Sequence, residues 1–278
     1  MLKTLINQYI SASRSFNVRV HLQPETLPAS KRARLLKELR SVARECFGEI
    51  PEYQCLLKDG SGLADKVIAV ARDQHGELLG FSSAARLSVP EVGDVLHLGL
   101  TCVSQQARGL GLTHTLSARL LTRVLLTRSP LKRLWISNVA CVLSSLGNVA
   151  RHFEEVYPSP YFRAPSVTHV LIAESISRHH RALIAIEPEA TFDREAFVFR
   201  GSVQGTMFMK SPQDTRYFHR DLNLTQYYLD LMNLNHGDEA CQVGWISLHS
   251  IFTYQLRRSL KSLRRLIQAP SRLKATPK

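Results

Sequence analysis

The chain is 278 residues long and 44% hydrophobic, ordinary for a globular core, so it holds one large domain or two modest ones without covalent staples. Lys and Arg outnumber Asp and Glu by 36 to 23, which favours an anionic partner such as a phosphorylated cofactor, a nucleic acid or a lipid headgroup without choosing among them. The five scattered cysteines have no C-x-x-C pair, which excludes a disulfide framework and a zinc ribbon; no stretch approaches the ~18 apolar residues of a bilayer span, and a reducing, cytoplasmic setting is expected.

In chain order, "MLKTLINQYISASRSFNVRV" spaces Leu2, Leu5, Ile6, Tyr9 and Ile10 helically, and no acidic residue precedes Glu25. It lacks the continuous apolar block of a signal peptide and reads either as a helix docked on the domain or as an organellar transit peptide. "ASKRARLLKELRSVARECFG" predicts a helix with an apolar stripe of Leu35, Leu36, Leu39, Val42, Ala43 and Cys46, stopped at Gly48. "KVIAVARD" and "LLGFSSAARLSV", on either side of "QHGE", predict a hairpin closed by Pro90 and Gly93. "DVLHLGLTCVS" predicts a strand with Leu96, Leu98, Leu100 and Cys102 on the core face and Val95, His97, Gly99, Thr101 and Val103 on the other.

Leu112, Leu116, Leu120, Leu121, Val124 and Leu125 then keep helical spacing, "SPLKRLWISNVA" predicts a strand, and "SSLGNVARHFEEVY" a helix ended by Pro158 and Pro160. Residues 66–157 therefore form a mixed α/β layer with an antiparallel start and one strand-helix-strand crossover. Further on, "VTHVLIAESISRHHRALIAI" reads as a strand running into a helix, "EAFVFRGSV" and "GTMFMK" as strands, and "LNLTQYYLDLMNL" as a helix.

Between the apolar strand and the apolar helix stands "QQARGLGL", residues 105–112. A dinucleotide fingerprint fails there, because His114 occupies the third glycine position; a P-loop fails because Gly111 is followed by Leu112 and Thr113 rather than Lys and Ser or Thr. What fits is Q/R-x-x-G-x-G/A, in Gln106-Ala107-Arg108-Gly109-Leu110-Gly111. Glycines at a strand-to-helix junction let backbone N–H groups approach a diphosphate, with the positive end of the helix behind them. With the elements around it, over about 90 residues, the chain resembles the GCN5-related N-acetyltransferase superfamily.

That resemblance implies a mixed, mostly antiparallel central sheet flanked by helices, with helical extensions at both ends. It implies acetyl-coenzyme A as co-substrate, its pyrophosphate on the amides of Gln106, Ala107, Arg108, Gly109, Leu110 and Gly111, with Arg108 either adding a charged contact or pointing into solvent. The strand ending at Thr101 and Val103 would splay from "LWISNVA" and bond the pantetheine arm. On the later helix, Ser145 and His152 stand where the family usually has Asn and Tyr, which makes His152 the candidate general acid and Tyr157 its rival. His97 is the candidate base, unless positioning alone suffices. The acceptor is an amine on a small molecule or protein.

The expected organisation is a helical extension over residues 1–65, an acyltransferase domain over 66–255 and a basic tail over 256–278. The tail is either a packed terminal helix with a solvated basic face or a weak contact for an anionic membrane. No nucleic-acid platform of interleaved aromatics is present, "HRDL" at residues 219–222 lacks the other parts of a kinase, and His179-His180 has no carboxylate at ligand spacing, so no metal is expected. Two functions stay open: an acyl-coenzyme A-dependent N-acyltransferase, most simply an acetyltransferase, and a non-catalytic acyl-coenzyme A sensor or scaffold.

Overall fold

The computed structural model describes residues 16–128 and 132–254. The segment 1–15, with its two readings, and the basic tail lie outside them. The elements are β1 (Asn17–His21), α1 (Ala29–Phe47), β2 (Lys66–Arg72), β3 (Leu78–Val89), β4 (Gly93–Val103), α2 (Leu112–Thr127), β5 (Leu134–Ala140), α3 (Leu143–His152), β6 (Glu154–Tyr157), α4 (Val167–His179), β7 (Thr191–Asp193), β8 (Val198–Arg200), α5 (Leu222–Leu231) and β9 (Glu239–Ile246). Short 3-10 turns join several of them, and residues 248–254 are helical.

One nine-stranded sheet runs in the order β1-β2-β3-β4-β5-β9-β8-β7, with β6 pairing β9 beside this path. Every pair is antiparallel except β4 with β5, the parallel pair that the β4-α2-β5 crossover connects. The fold is therefore mixed α/β with a mostly antiparallel sheet flanked by helices. Residues 17–21, expected within a helical extension, form strand β1, which pairs β2 in register from Asn17↔Arg72 to His21↔Ile68 at the sheet edge.

Helix α2 covers one face, burying Leu112, Leu116, Leu120 and Val124 against Val67, Ala69 and Leu96. Helix α1 covers the opposite face, with Leu35, Leu39, Val42 and Ala43 on Ile68, Val70, Phe81 and Cys102. Each buried leucine or valine among them, at ~1.5–3 kcal/mol of burial, contributes more than a typical surface charge pair on these helices. Helix α4 continues this second face against Val95, Cys241 and Val243, while α3 and α5 pack together on the first.

Strand β4 departs from simple alternation. Ser82 pairs Thr101 and Ala84 pairs Leu98, so Gly99 and Leu100 together face Ser83 in a β-bulge. The extra residue reverses the phase: Leu96 and Leu98 pack with α2, but Leu100 and Cys102 pack with α1. Gly99 leaves room there for two polar side chains, since a Cβ would stand 2.1 Å from Gln54 Oε1 and 2.7 Å from Ser83 Oγ and would force them to shift. The expectation of one apolar face running from Leu96 to Cys102 is thus corrected by a feature of pairing, not of composition.

Three further expectations change. "EEVY" is strand β6, not the end of a helix; Phe153 N–H closes α3 on Val149 O, and Val156 is buried against the β9 backbone at Gly244. "VTHVLIAESIS" is helical from its start, capped by Ser166, whose side chain and that of His169 satisfy each other's backbone. "GTMFMK" forms turns instead of a strand, and Phe208 and Met209 anchor it on the α3–α5 cluster.

Candidate functional site

The β4–β5 ladder consists of two pairs, Leu96↔Ile136 and His97↔Ser137. Beyond them β4 stays paired to β3 as far as Val103, and β5 to β9 as far as Ala140, but not to each other. The strands splay, and their facing backbone edges from Leu98 and Asn138 onward lose the sheet's own partner. An extended ligand with amide groups can take that place, as an added strand would. A cavity of about 540 Å³ occupies the gap and opens on both faces of the sheet.

On the α2 face the cavity is lined by His114, Ser117, Ser145, Asn148, His152 and Tyr254. Ser145, Asn148 and His152 project from one side of α3, three or four residues apart, as a helical face must. A buried network holds that helix: Gln242 Nε2 donates to Leu146 O at 3.1 Å and to Tyr228 Oη at 2.6 Å, while Tyr228 Oη donates to Pro158 O at 3.0 Å. Asn138 Nδ2, at the gap itself, donates to Gln242 Oε1 at 3.0 Å.

The glycine turn lies between β4 and α2 on this face. Gly109 has φ +80° and Gly111 φ +68°, left-handed values that glycine adopts without cost. Glu45 Oε2 on α1 accepts from Gln105 N at 3.1 Å and fixes where the turn begins. The set of cradling amides is narrower than the motif implies. Ala107 N, Arg108 N and Leu110 N are engaged with Ser104 O, Gln105 O and Ala107 O, at 3.0, 3.3 and 3.4 Å. Among the described residues, the N–H groups of Gly109, Leu112 and Thr113 have no such partner. They lie at the N-terminus of α2, where the helix dipole favours an anion. Arg108 is exposed beside them.

Thr101 lines the cavity and its hydroxyl meets that of Ser82 at 3.0 Å, whereas Val103 lies outside it, packed in the α2 core. His97 also stays outside. It is 1% exposed, its Nδ1 sits 3.0 Å from Ser137 Oγ, and burial pushes its imidazole down to about 3. Its Nε2 is buried without a partner. The alternation that turned His97 away from the leucines turned it into the opposite core, so the structure does not bring this candidate base to the site.

His152 does line the cavity, edge-on to the Tyr254 ring at 5.0 Å. Burial first, and then the charges of His114 and its arginine neighbours, push it down to about 4, so it is neutral near pH 7. It can donate a hydrogen bond but does not hold a proton ready to give as a strong acid. The rival, Tyr157, donates its hydroxyl to Glu195 O at 2.7 Å, outside the cavity. Both histidines make one prediction: by NMR, the His97 and His152 ring shifts stay constant between pH 8 and pH 5. Titration of either in that range contradicts its burial.

On the α1 face the cavity is lined by Cys46, Phe47, Tyr53, Phe208, Lys210 and Glu239. Hydrogen bonding with the Cys102 thiol, more than the burial that opposes it, brings Cys46 down to about 6. Glu239, 8% exposed at the start of β9, is raised to about 7 by burial, against the hydrogen bond from Ser202. The sequence reading missed Glu239 because "EACQVGWI" was not assigned as a strand. Its β-formers after the Asn-His-Gly-Asp turn were the available signal. Among the described residues no group of three potential metal ligands comes together, and no helix is long and apolar enough to cross a membrane.

No protein-family model matches the chain, and no curated protein matches it. Solved structures similar to it include several acetyltransferases of the GNAT family. An acyl-CoA N-acyltransferase from Pseudomonas aeruginosa is 23% identical, with 52% of this chain and 93% of that one covered and a TM-score of 0.35. The GNAT family N-acetyltransferase YhbS from Escherichia coli, in complex with CoA, is 18% identical over 50% of this chain and 69% of that one, at a TM-score of 0.35. A GNAT acetyltransferase from Staphylococcus aureus Mu50 is 13% identical over 55% and 94%, at 0.36.

Proposed function

We propose that the protein is an acyl-coenzyme A-dependent N-acyltransferase, most simply an acetyltransferase, in which an amine attacks the thioester directly. One observation carries this reading: among the described residues β4 parts from β5 after two pairs, and the glycine turn with its helix N-terminus stands at the end of that opening. A diphosphate suits the turn, a pantetheine arm suits the unpaired strand edges, and the thioester then falls inside a cavity that reaches the other face. Such a gap would set amine and carbonyl together, which by itself supplies much of the rate. Coenzyme A thiolate is a good leaving group, so a neutral His152 that hydrogen-bonds to the departing sulfur is sufficient. The acceptor is an amine of small-molecule or protein origin. The cytoplasm suits five free thiols, and the basic tail suits weak contact with an anionic membrane.

Calorimetric titration with acetyl-coenzyme A, followed by thiol release over an amine panel, tests the reading. Binding with turnover is expected. Binding without turnover of any amine would favour the sensor or scaffold, and the absence of binding by folded protein would remove both. Initial-velocity lines that intersect support direct attack; parallel lines would instead give the Cys46 thiol an acyl-carrying role.

A further inference from the structure

The α1 end of the cavity has a composition unlike its other end. Phe208 packs edge-on to Phe47, with centroids 6.0 Å apart, and tilted against Tyr53 at 5.4 Å. Ile184, from the α4 cluster, and Val203, from the α3–α5 cluster, add apolar lining to the cavity. Into it projects one carboxylate. Glu239 begins β9 opposite Phe199, which puts its side chain on the α1 face, alternate to Ala240. Its Oε2 accepts from Ser202 Oγ at 2.6 Å, and among the described residues its Oε1 has no hydrogen-bond partner and no cation within ion-pair distance. The Lys210 ammonium, in the same lining, is turned to its own loop, donating to Met207 O at 3.2 Å and Met209 O at 3.4 Å, over the Tyr217 ring.

A buried carboxylate with a single hydrogen bond and no ion pair is costly, and a cationic ligand is what offsets that cost. Resting on the acyltransferase reading, we infer that Glu239 receives the ammonium group of the acceptor, and that this acceptor is a primary amine on an apolar or aromatic body entering from the α1 face. The aromatic wall holds the body, and its ring faces also favour a cation beside the carboxylate.

The reaction balances on this arrangement. Glu239 takes one proton from R–NH3+, and the freed lone pair bonds to the thioester carbon. The tetrahedral intermediate breaks its C–S bond, and the second amine proton goes with the sulfur to give the thiol. One proton is left on Glu239 and passes to solvent. Of the titratable groups around Glu239, the Tyr53 phenol and the Cys241 thiol, pushed up by burial, and the Cys141 thiol, pushed up to about 12, stay uncharged near neutrality. The Cys46 thiol in the same lining, brought down to about 6, ionises below pH 7, so a pH limb in the rate is assigned to Glu239 by its loss in Glu239→Gln. Lys210 acts on Glu239 as a cation in the same lining, beyond ion-pair distance and bonded to its own loop.

The experiment compares wild type with Glu239→Gln and Glu239→Asp, reading acetyl-coenzyme A affinity by calorimetry and thiol release with 2-phenylethylamine, hexylamine, spermidine and glycinamide. The expected result is unchanged coenzyme affinity in all three proteins. Wild type prefers the first two amines, with kcat/KM rising between pH 6 and 8. Glu239→Gln loses ~100-fold or more in kcat/KM, together with that pH limb, and Glu239→Asp recovers part of both. An unchanged rate and limb in Glu239→Gln, turnover confined to spermidine or glycinamide, or coenzyme binding with no turnover overturns the assignment. Failure of wild type to bind acetyl-coenzyme A is a different outcome and overturns the acyltransferase reading beneath it.

Discussion

Glutamate at both Gly109 and Gly111 is expected to lower acetyl-coenzyme A affinity by about 100-fold, measured by calorimetry, while the protein stays folded. Both residues hold left-handed φ, at +80° and +68°, which costs an L-residue roughly 1–2 kcal/mol each. The fold can bear this. A Cβ at Gly109 meets nothing within 4 Å, and a carboxylate beside the first turn of α2 is favourable to the helix itself. The ligand meets the opposite situation. Two negative charges would occupy the helix end that suits the pyrophosphate and compete for the N–H groups of Gly109, Leu112 and Thr113. Losing charge-assisted hydrogen bonds there is worth about 3 kcal/mol, which converts to the expected factor. Gly109→Asn is the matched control, since Asn tolerates left-handed φ and adds no charge; it should stay within a few-fold of wild type. Wild-type affinity in the double variant would show that the glycines serve the turn and nothing else.

That turn was legible because its requirement is local. Two glycines with positive φ, a strand before them and a leucine stripe at helical spacing after them can be read from some 20 consecutive residues. The same holds for α1, the β2–β3 hairpin and α2, whose periodicities match their burial. What was not legible depends on partners far away in sequence. The bulge at Gly99 exists because β3 presents Ser83 to two residues of β4, and no property of "DVLHLGLTCVS" announces it. "EEVY" is a strand only because β9 offers an edge to it, Glu154 pairing Trp245 and Tyr157 pairing Val243, far apart in the chain and adjacent in space. His97 was assigned by face, and the face was right, but what covers that face was unknown until α4 and Ser137 were placed.

Glu239 is the sharper case, because an acidic residue opening a strand ordinarily faces water. Its second expected effect is on stability. Burial raises its folded pKa from 4.5 to about 7, so folding favours the protonated form, the reverse of the usual salt-bridged carboxylate. Stability held by the neutral acid is fully present below the unfolded pKa and is lost as pH rises through the folded one, between about 4.5 and 7. At pH 8 the native state carries a buried charge costing about 3 kcal/mol that the unfolded state does not bear. Glu239→Gln keeps the shape and the neutral polarity at every pH. Its melting temperature should therefore gain on wild type between pH 5 and pH 8 by several degrees, at the ~2–4 °C per kcal/mol of a chain this size. Glu239→Ala would confuse the result with a cavity, which makes the amide the informative substitution. A gap between Glu239→Gln and wild type that does not change with pH would mean that the carboxylate is already solvated or paired in the resting protein. Its need for a cationic ligand would then disappear with it. A gap that widens as expected shows instead a site that spends stability to keep an unpaired anion among aromatic rings, and saturating a stabilising amine at pH 8 should return part of what was lost.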